Sequence, residues 1–271
     1  MIVKNEPSSS RALSNLKARI VSVSDLSFEN EARMFQLMQT YYDDVSREQF
    51  LTDLSKKSDV ILLFDKTGGQ IQGFSTLLCL RVECGNKTVR GIFSGDTIVE
   101  KKYWGQRCLG KAFLRFLFTE KLKHPFEPLY WLLISKGYKT YLMMANNFSQ
   151  YYPRFDKATP AAKKALMDAF YATLYGDDYD AQAGLIKSSG ETYKLKAGVA
   201  AISPALMKTN AKIAFFQTAN PDWQKGFELA CLARMTLWMP FRYGVKVLFV
   251  DKLLKPVSRM VFPFPKERKN E

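Results

Sequence analysis

The chain has 271 residues, of which 47% are hydrophobic and 14% aromatic, and its formal net charge is +14. This composition excludes a disordered chain, because enough apolar surface can be buried to offset the entropy lost on ordering. The length allows one large domain or two small ones. No run reaches the ~20 apolar residues of a membrane span, and the N-terminal residues lack the apolar core of a secretory signal. We therefore expect a cytoplasmic protein, with peripheral association at a membrane as an alternative.

Histidine and cysteine are too sparse for a metal centre. The four cysteines, Cys79, Cys84, Cys108 and Cys231, form no CxxC pair, and His124 is the single histidine. A structural zinc site needs about four nitrogen or sulfur ligands at suitable spacing, so no metal is expected. Because His124 sits where a helix is predicted to end, we expect it to be solvated or to cap that helix.

The positive charge indicates an anionic partner without choosing one. A field of this sign attracts phosphorylated ligands, acidic proteins, nucleic acid and anionic membrane surfaces. The excess of lysine and arginine is spread along the chain, with a modest concentration in the last residues. No RNP-type, zinc or helix-turn-helix signature is visible, which makes nucleic acid the least favoured of these partners.

Hydrophobic periodicity and cap residues predict an alternation of strands and helices. Ser27 and Ser46 stand where helix N-caps are expected, and Gly68 and Gly69 stand in a turn between two apolar runs. The predicted elements are a strand at 18–26, helices at 27–44 and 46–57, a hairpin at 59–83, a strand at 88–100, a helix at 110–124, a strand at 127–135, a helix at 137–148, a Pro-initiated helix near 160–175, a strand or hairpin at 183–195 and a helix beginning at Asn220 within 220–239.

One motif between a strand and a helix carries chemistry. Residues 107–112 read Arg107, Cys108, Leu109, Gly110, Lys111 and Ala112, which fits R/Q-x-x-G-x-G/A. A diphosphate needs several backbone amides pointing at one place, and a helix N-terminus supplies them with a favourable dipole. Small residues at Gly110 and Ala112 let a phosphate approach the backbone, and Arg107 and Lys111 add positive charge. The motif predicts a phosphate-binding turn, with a plain structural glycine as the alternative.

This motif and its context resemble the GNAT N-acetyltransferase superfamily over roughly residues 18–155. The element order around it is β-α-α-β-β-β-α-β-α, as in that family. The resemblance implies an α/β (α+β) fold with a mixed, mostly antiparallel GNAT-like central sheet flanked by helices. It divides the chain into a lead-in at 1–16, an acyl-CoA-binding core at 17–156 and an α-rich C-terminal extension at 157–271 packed on that core.

The resemblance also implies where coenzyme A lies. In the family, the strand before the motif splays from the next strand, and the pantetheine arm enters the gap. Here these strands are Ile92 to Glu100 and Leu129 to Ile134, with Ile98 and Val99 nearest the thioester. Gly95 is either a bulge, a site of close backbone approach or a mere sheet irregularity.

Acyl transfer to an amine needs a base, and protonation of the departing thiolate needs an acid. Asp96 is the preferred base. Glu100 lies four residues further along the same face of the strand and is expected to be a solvated ion. The family places a tyrosine acid near the helix after the fifth strand. Tyr152 and Tyr141 are the candidates, although the stretch from Asn146 to Phe155 departs from the family's usual ending.

The predicted function is transfer of an acyl group from a CoA or acyl carrier protein thioester to an amine of a small molecule or peptide. A medium or long fatty chain is one alternative, because many large apolar residues of the extension could line a tunnel or form ordinary core. They are Met207, Phe215, Phe216, Trp223, Phe227, Met235, Leu237, Trp238, Met239 and Phe241. A non-catalytic acyl-CoA sensor also remains open, as does a basic protein whose charge serves RNA or a membrane surface. For the membrane, residues 245–262 mix lysine and arginine with large apolar residues, as interfacial helices do.

Overall fold

The computed structural model describes residues 15–42, 45–104, 106–187 and 201–239. The strands are β1 Leu16–Ser22, β2 Asp59–Asp65, β3 Ile71–Cys84, β4 Lys87–Val99, β5 Leu129–Ser135, β6 Tyr151–Tyr152, β7 Tyr179–Asp180, β8 Leu185–Ile186 and β9 Glu228–Met235. The helices are α1 Phe28–Tyr41, α2 Arg47–Ser55, α3 Cys108–Lys123, α4 Tyr138–Asn147, α5 Ala161–Tyr175, α6 Pro204–Thr209 and α7 Ala211–Ala219.

The strands form one sheet in the order β1-β2-β3-β4-β5-β9-β8-β7, and β6 pairs with β9. Neighbouring strands are antiparallel except β4 and β5, which are parallel. The two strands of the parallel pair are connected through α3, as a parallel connection requires. The mixed, mostly antiparallel sheet flanked by helices that was predicted from the sequence is confirmed.

Helices cover both faces of this sheet. On one side, which we call the α3 face, α3 and α4 share a core with inward side chains of the strands, such as Ile92 and Trp131. On the other side, the α1/α5 face, α1 and α2 pack on β2 and β3 around Phe74, and α5 packs around Phe93 and Leu132. The central strands are therefore buried on both faces.

Local signals read from the sequence define most of the first half of the fold. The Ser27 hydroxyl accepts the Asn30 amide at 3.3 Å at the start of α1, and Ser46 does the same for Gln49 at 3.4 Å at the start of α2. Gly69 adopts φ +66° in the β2–β3 turn, where a side chain would be strained. These caps and this turn were predicted and are confirmed.

The helix predicted within 220–239 is wrong. The segment makes a short 3-10 turn at Trp223–Lys225, passes through Gly226 in the left-handed region (φ +98°), and then forms strand β9. Strand β9 lies between β5 and β8 with nearly every residue buried, so its side chains show no polar-apolar alternation. The Asn220-Pro221 pair predicts the start of a helix. No alternation of polar and apolar residues opposes that prediction, because a strand buried on both faces has no period-2 pattern.

The C-terminal extension contributes to the sheet as well as packing on it. Its described part holds α5, α6 and α7, but also β7, β8 and the central strand β9. The boundary at residue 156 therefore stays a prediction, since the sheet crosses it. The large apolar residues proposed as tunnel walls include Phe216, Trp223, Met235 and Met239, which are buried in the core of the α3 face. Trp238 is 67% exposed, and Phe241 lies outside the described residues.

Within the described ranges, no helix is both long enough and apolar enough to cross a bilayer. The basic apolar segment at 245–262, which suggested an interfacial helix, lies outside the described residues. His124 is the C-cap residue of α3, with Nδ1 3.5 Å from a Glu127 carboxylate oxygen, in agreement with the expected position at a helix end.

Candidate active site

The sheet opens between β4 and β5. Their parallel pairing runs from Arg90 opposite Leu129 to Ser94 opposite Leu133 and stops there. Beyond that point β4 continues to Val99 paired with β3, whereas β5 continues paired with β9. Backbone groups on the facing edges of the two strands are thus released from the sheet ladder, in the place where the resemblance implies a gap.

A β-bulge marks the point of opening. Ser75 pairs with Thr97 and Leu77 with Ser94, so Gly95 and Asp96 together face the single residue Thr76. A Cβ atom on Gly95 would lie 2.6 Å from Thr76 Oγ1, too close for any side chain without a shift. The bulge interpretation of Gly95 is confirmed. A bulge bends and twists its strand, which is how β4 turns away from β5 here.

Antiparallel alternation assigns the backbone groups that face the gap. The Glu100 amide donates toward β3 at 2.8 Å, so residues at even spacing from it bond to β3 and those between point outward. By this register Thr97 and Val99 present their amides and carbonyls to the gap, and the Val99 carbonyl accepts the Trp104 indole N–H at 2.6 Å. Ile98, predicted to lie beside the thioester, pairs toward β3 and buries its side chain among α1 and α2.

The loop from β4 to α3 is tied to the sheet. The Tyr103 hydroxyl donates to Asp65 Oδ2 at 2.8 Å, and the other Asp65 oxygen accepts the amide and hydroxyl of Thr67 at 3.0 and 2.8 Å. These hydrogen bonds lower the pKa of Asp65 to about 2, and the bond from the Thr67 amide makes the largest contribution. The ionised carboxylate in the β2–β3 turn therefore helps to fix where α3 begins.

Glu100 is not the solvated ion expected from the sequence. Its carboxylate lies 3.2 Å from Arg33 Nη2 and accepts the Tyr41 hydroxyl at 3.0 Å, and Tyr41 in turn accepts the Lys101 amide at 2.7 Å. This network has no local signature in the sequence, because Arg33 and Tyr41 come from α1, far away in the chain. Glu100 thus links the end of β4 to α1 through an ion pair and a hydrogen bond.

The N-terminus of α3 fits an anion. Arg107 is the N-cap, and its side chain caps none of the first amides. The amides of Cys108, Leu109 and Gly110 have no carbonyl four residues back in the helix, so they are available to a ligand. Leu109 is anchored in the core of the α3 face, which fixes the direction of this first turn.

The side chains of the motif border a groove of about 700 Å³ between α3 and β1. Arg107, Cys108, Lys111 and Ala112 are among its lining residues. The Cys108 thiol donates to the Leu16 carbonyl at 3.4 Å, so Cys108 can serve a ligand through its amide only. The motif is therefore beside a cleft and not buried away from one.

Asp96 is the second residue of the bulge and lies half-buried on the α1/α5 face. Burial raises its pKa, while the positive charges of Lys57, which follows α2, and Lys136, which follows β5, oppose the rise. Asp53 on α2 adds to the rise. Lys57 is itself desolvated, with a lowered pKa, and its Nζ lies 5.6 Å from the centre of the Phe93 ring. A carboxyl group with a raised pKa at the mouth of a gap suits a general base.

A second carboxylate, not predicted from the sequence, lies near Asp96. Glu228 begins β9 and contacts Lys136 at 3.4 Å, with only 14% and 16% of these side chains exposed. Burial raises the pKa of Glu228, and the charge of Asp96 adds to the rise. Burial is the largest cause of the raised pKa of both Tyr42 and Tyr175. The charges of Asp96 and Glu228 raise both pKa values further, and Asp53 adds to the rise at Tyr175. No sequence signal points to Glu228, because the pattern of residues 220–239 predicts a helix and not the strand that Glu228 begins.

The two tyrosine candidates for the acid differ in their surroundings. The Tyr141 side chain is fully buried, its hydroxyl donates to the Pro153 carbonyl at 3.1 Å, and burial raises its pKa. Tyr152 lies in β6, paired with Leu232 of β9, and is half-buried against the core of the α1/α5 face. Tyr141 is thus engaged by the fold, whereas Tyr152 is partly accessible.

A third tyrosine holds β5 at the opening. The Tyr171 hydroxyl of α5 stands between β5 and β9, where it accepts the amides of Leu133 and Cys231 at 3.1 Å each. It also lies 2.7 Å from the Cys231 carbonyl and 3.0 Å from the Leu133 carbonyl. Leu133 is the last residue of β5 that pairs with β4. Tyr171 therefore fixes the strand from the side opposite the gap.

No family model matches the chain, and no curated protein shows significant sequence similarity to it. Solved structures similar to it include a probable N-acyltransferase from Enterococcus faecalis V583, at 16% identity over 49% of this chain and 32% of that one, with a TM-score of 0.38. The GNAT family N-acetyltransferase YhbS from Escherichia coli, in complex with CoA, matches at 12% identity over 52% and 72%, with a TM-score of 0.36. Saccharomyces cerevisiae N-myristoyltransferase matches at 12% over 48% and 32%, with a TM-score of 0.33.

Likeness at this level transfers no substrate, activity or partner to this chain, and less than a third of the Enterococcus chain is matched. The site must therefore be judged on its own geometry. That geometry consists of a bulged strand parting from its parallel neighbour, a helix N-terminus offering free amides beside a basic groove, and a desolvated carboxyl group at the opening.

Proposed function

We propose that this chain is an N-acyltransferase that moves an acyl group from a CoA thioester to an amine. The observation that carries the proposal is the opening of the sheet after Ser94 and Leu133, with the N-terminus of α3 following the same strand. The gap offers free backbone groups along a line, which suits an extended chain, and the clustered amides at the N-terminus of α3 suit phosphate groups. A pantetheine arm that ends in a diphosphate would match both features.

The donor would be held by backbone groups at both ends. The amides of Leu109 and Gly110 suit the diphosphate, and Arg107 and Lys111 add charge to it. The arm would lie along β4, where the amides of Thr97 and Val99 and the carbonyl of Thr97 face the gap; the Val99 carbonyl already accepts the Trp104 indole N–H. Bound acyl-CoA would supply the activated thioester.

Asp96 is the proposed base. The acceptor nitrogen attacks the thioester carbonyl carbon, so that a C–N bond forms while the C–S bond breaks. Asp96 accepts the proton that the nitrogen loses, and the leaving thiolate takes a proton from a tyrosine. Tyr152 is the first candidate for this acid, because the Tyr141 hydroxyl would have to leave the Pro153 carbonyl.

The chain's own packing favours a short acyl group. Phe216 and Trp223, two of the residues predicted to line a tunnel, are buried in the core beside α4. A fatty-acyl tunnel built from them therefore has no support. We therefore propose acetyl-CoA as the first donor to test. The acceptor is an amine of a small molecule or peptide that enters on the α1/α5 face, where Asp96 lies.

The test is the Asp96→Asn variant, assayed by release of the CoA thiol from acetyl-CoA with a panel of polyamines, amino sugars and short peptides. We expect turnover to fall by about 10²–10⁴-fold, the usual contribution of a general base, while acetyl-CoA binds as before. Because the base must be ionised and its pKa is raised, the wild-type rate should rise with pH through a value above the ordinary range of an aspartate.

The matched control is Asp25→Asn, which removes an exposed carboxylate outside the cleft and should leave the rate unchanged. A fully active Asp96→Asn variant with an unchanged pH profile would remove Asp96 from the mechanism. Tight acetyl-CoA binding with no turnover on any acceptor of the panel would instead favour a sensor module.

A further inference from the structure

The groove between β1 and α3 is larger and more basic than the donor site needs. One stripe of α3, at a spacing of four residues, lines it with Arg107, Lys111, Arg115, Thr119 and Lys123. Four residues of helix rise about 6 Å, so this stripe runs for roughly 24 Å. Only its first turn belongs to the proposed diphosphate site, and the remaining cations lead away from it.

Two cations in the middle of this stripe are available to a ligand. Lys111 and Arg115 are exposed and make no ion pair with another residue in the described ranges. Glu120, one of two acidic residues in the groove, is already paired with Arg90 at 2.7 Å and with Lys123 at 2.5 Å. The groove therefore presents a net positive wall to a ligand.

The opposite wall is mainly apolar. Ala18 and Ile20 of β1 line it together with one carboxylate, Asp59 of β2, and Ile20 is 40% exposed. Strand β1 is the edge of the sheet, so this side of the groove is open. A wall of cations facing an exposed apolar strip at this spacing suits an amphipathic helix with carboxylates along one side, since its own side chains repeat every ~6 Å.

The chain's own terminal segments outside the described residues carry the same sign of charge as this groove. Residues 1–14 and 240–271 each contain more lysine and arginine than aspartate and glutamate. A nucleic acid fits less well than an acidic helix, because the aromatic residue lining the groove is Phe116, which is buried and offers no face for base stacking.

We propose that this groove docks an acidic helix of a carrier protein that presents the acyl group on a phosphopantetheine arm. The inference rests on the proposed function. The single phosphate of that arm would take the place of the diphosphate at the N-terminus of α3. The carrier helix would lie along Arg115 and Lys123, so both donors share one gap but only the carrier uses the far half of the stripe.

The test compares two probes, an acetyl-loaded acidic acyl carrier protein and acetyl-CoA, by calorimetry at low and moderate salt. In the Arg115→Glu/Lys123→Glu variant we expect the carrier to bind at least about tenfold more weakly, with a shallower salt dependence. Acetyl-CoA should bind as it does to the wild type. Lys87→Glu, an exposed charge reversal at the far end of β4, should affect neither probe.

Equal carrier affinity for wild type and variant would overturn the inference, as would a wild type that binds acetyl-CoA but no carrier; the proposed function would then stand. Failure of the wild type to bind either probe would refute both. If a single-stranded oligonucleotide binds more tightly than the carrier and loses affinity in the same variant, the groove serves nucleic acid and the inference is wrong.

Discussion

Replacing Tyr171 by phenylalanine removes one hydroxyl group from between two central strands. That oxygen accepts two buried amides, from Leu133 and Cys231, and donates its single proton to one carbonyl, the nearer being that of Cys231 at 2.7 Å. Three hydrogen bonds disappear at a site that water does not reach. The two buried amides left unpaired cost about 1–3 kcal/mol each, and the lost bond to the carbonyl costs about 1 kcal/mol, so we expect a loss of roughly 3–7 kcal/mol.

The loss is measured as the free energy of unfolding in urea, followed by circular dichroism. Tyr179→Phe is the matched control, because that hydroxyl makes a single bond, at 2.7 Å, to one half-exposed carboxylate, Asp168, and its loss should cost about 1.5–3 kcal/mol. If Tyr171→Phe costs no more than the control, β5 and β9 close into a direct ladder without the hydroxyl. The account of Tyr171 as a spacer between the strands would then be wrong.

Two further predictions concern the bulge and the loop before α3. Gly95→Ala should destabilise the protein by about 1–3 kcal/mol, because its Cβ would stand 2.6 Å from Thr76 Oγ1, and adding Thr76→Ala should restore part of this in the same urea assay; no restoration would contradict the clash. The folded-state pKa of Asp65, about 2, lies below its unfolded value of ~3.9, so its stabilisation is full above that value and lost as pH falls towards 2. Asp65→Asn should flatten the fall in melting temperature over that window, and a variant that follows the wild-type curve would refute the assignment.

The local part of the fold was predictable because its signals are local. Ser27 and Ser46 each bond an amide three residues away, and Gly69 relieves strain within its own turn, so a short stretch of sequence contains the whole cause. The motif at 107–112 belongs to the same class, since a helix N-terminus provides its amides whatever the rest of the chain does.

The parts that sequence analysis missed depend on distant neighbours. Strand β9 is buried on both faces only because β5 and β8 flank it, and the turn before it carries a helix-like start. Glu228 enters the cleft through that strand, and Glu100 acquires its partners from α1. Tyr171 reads in the sequence as one more apolar position of α5, yet its hydroxyl decides the spacing of two strands.

Calorimetric titration with acetyl-CoA tests the central claim most directly. We expect the wild type to bind one equivalent, the Arg107→Glu/Gly110→Trp variant to show no binding while keeping its circular dichroism spectrum, and Lys87→Glu to match the wild type. Undiminished affinity in the double variant, or a wild type that does not bind acetyl-CoA, would contradict the account of the α3 N-terminus as the donor site.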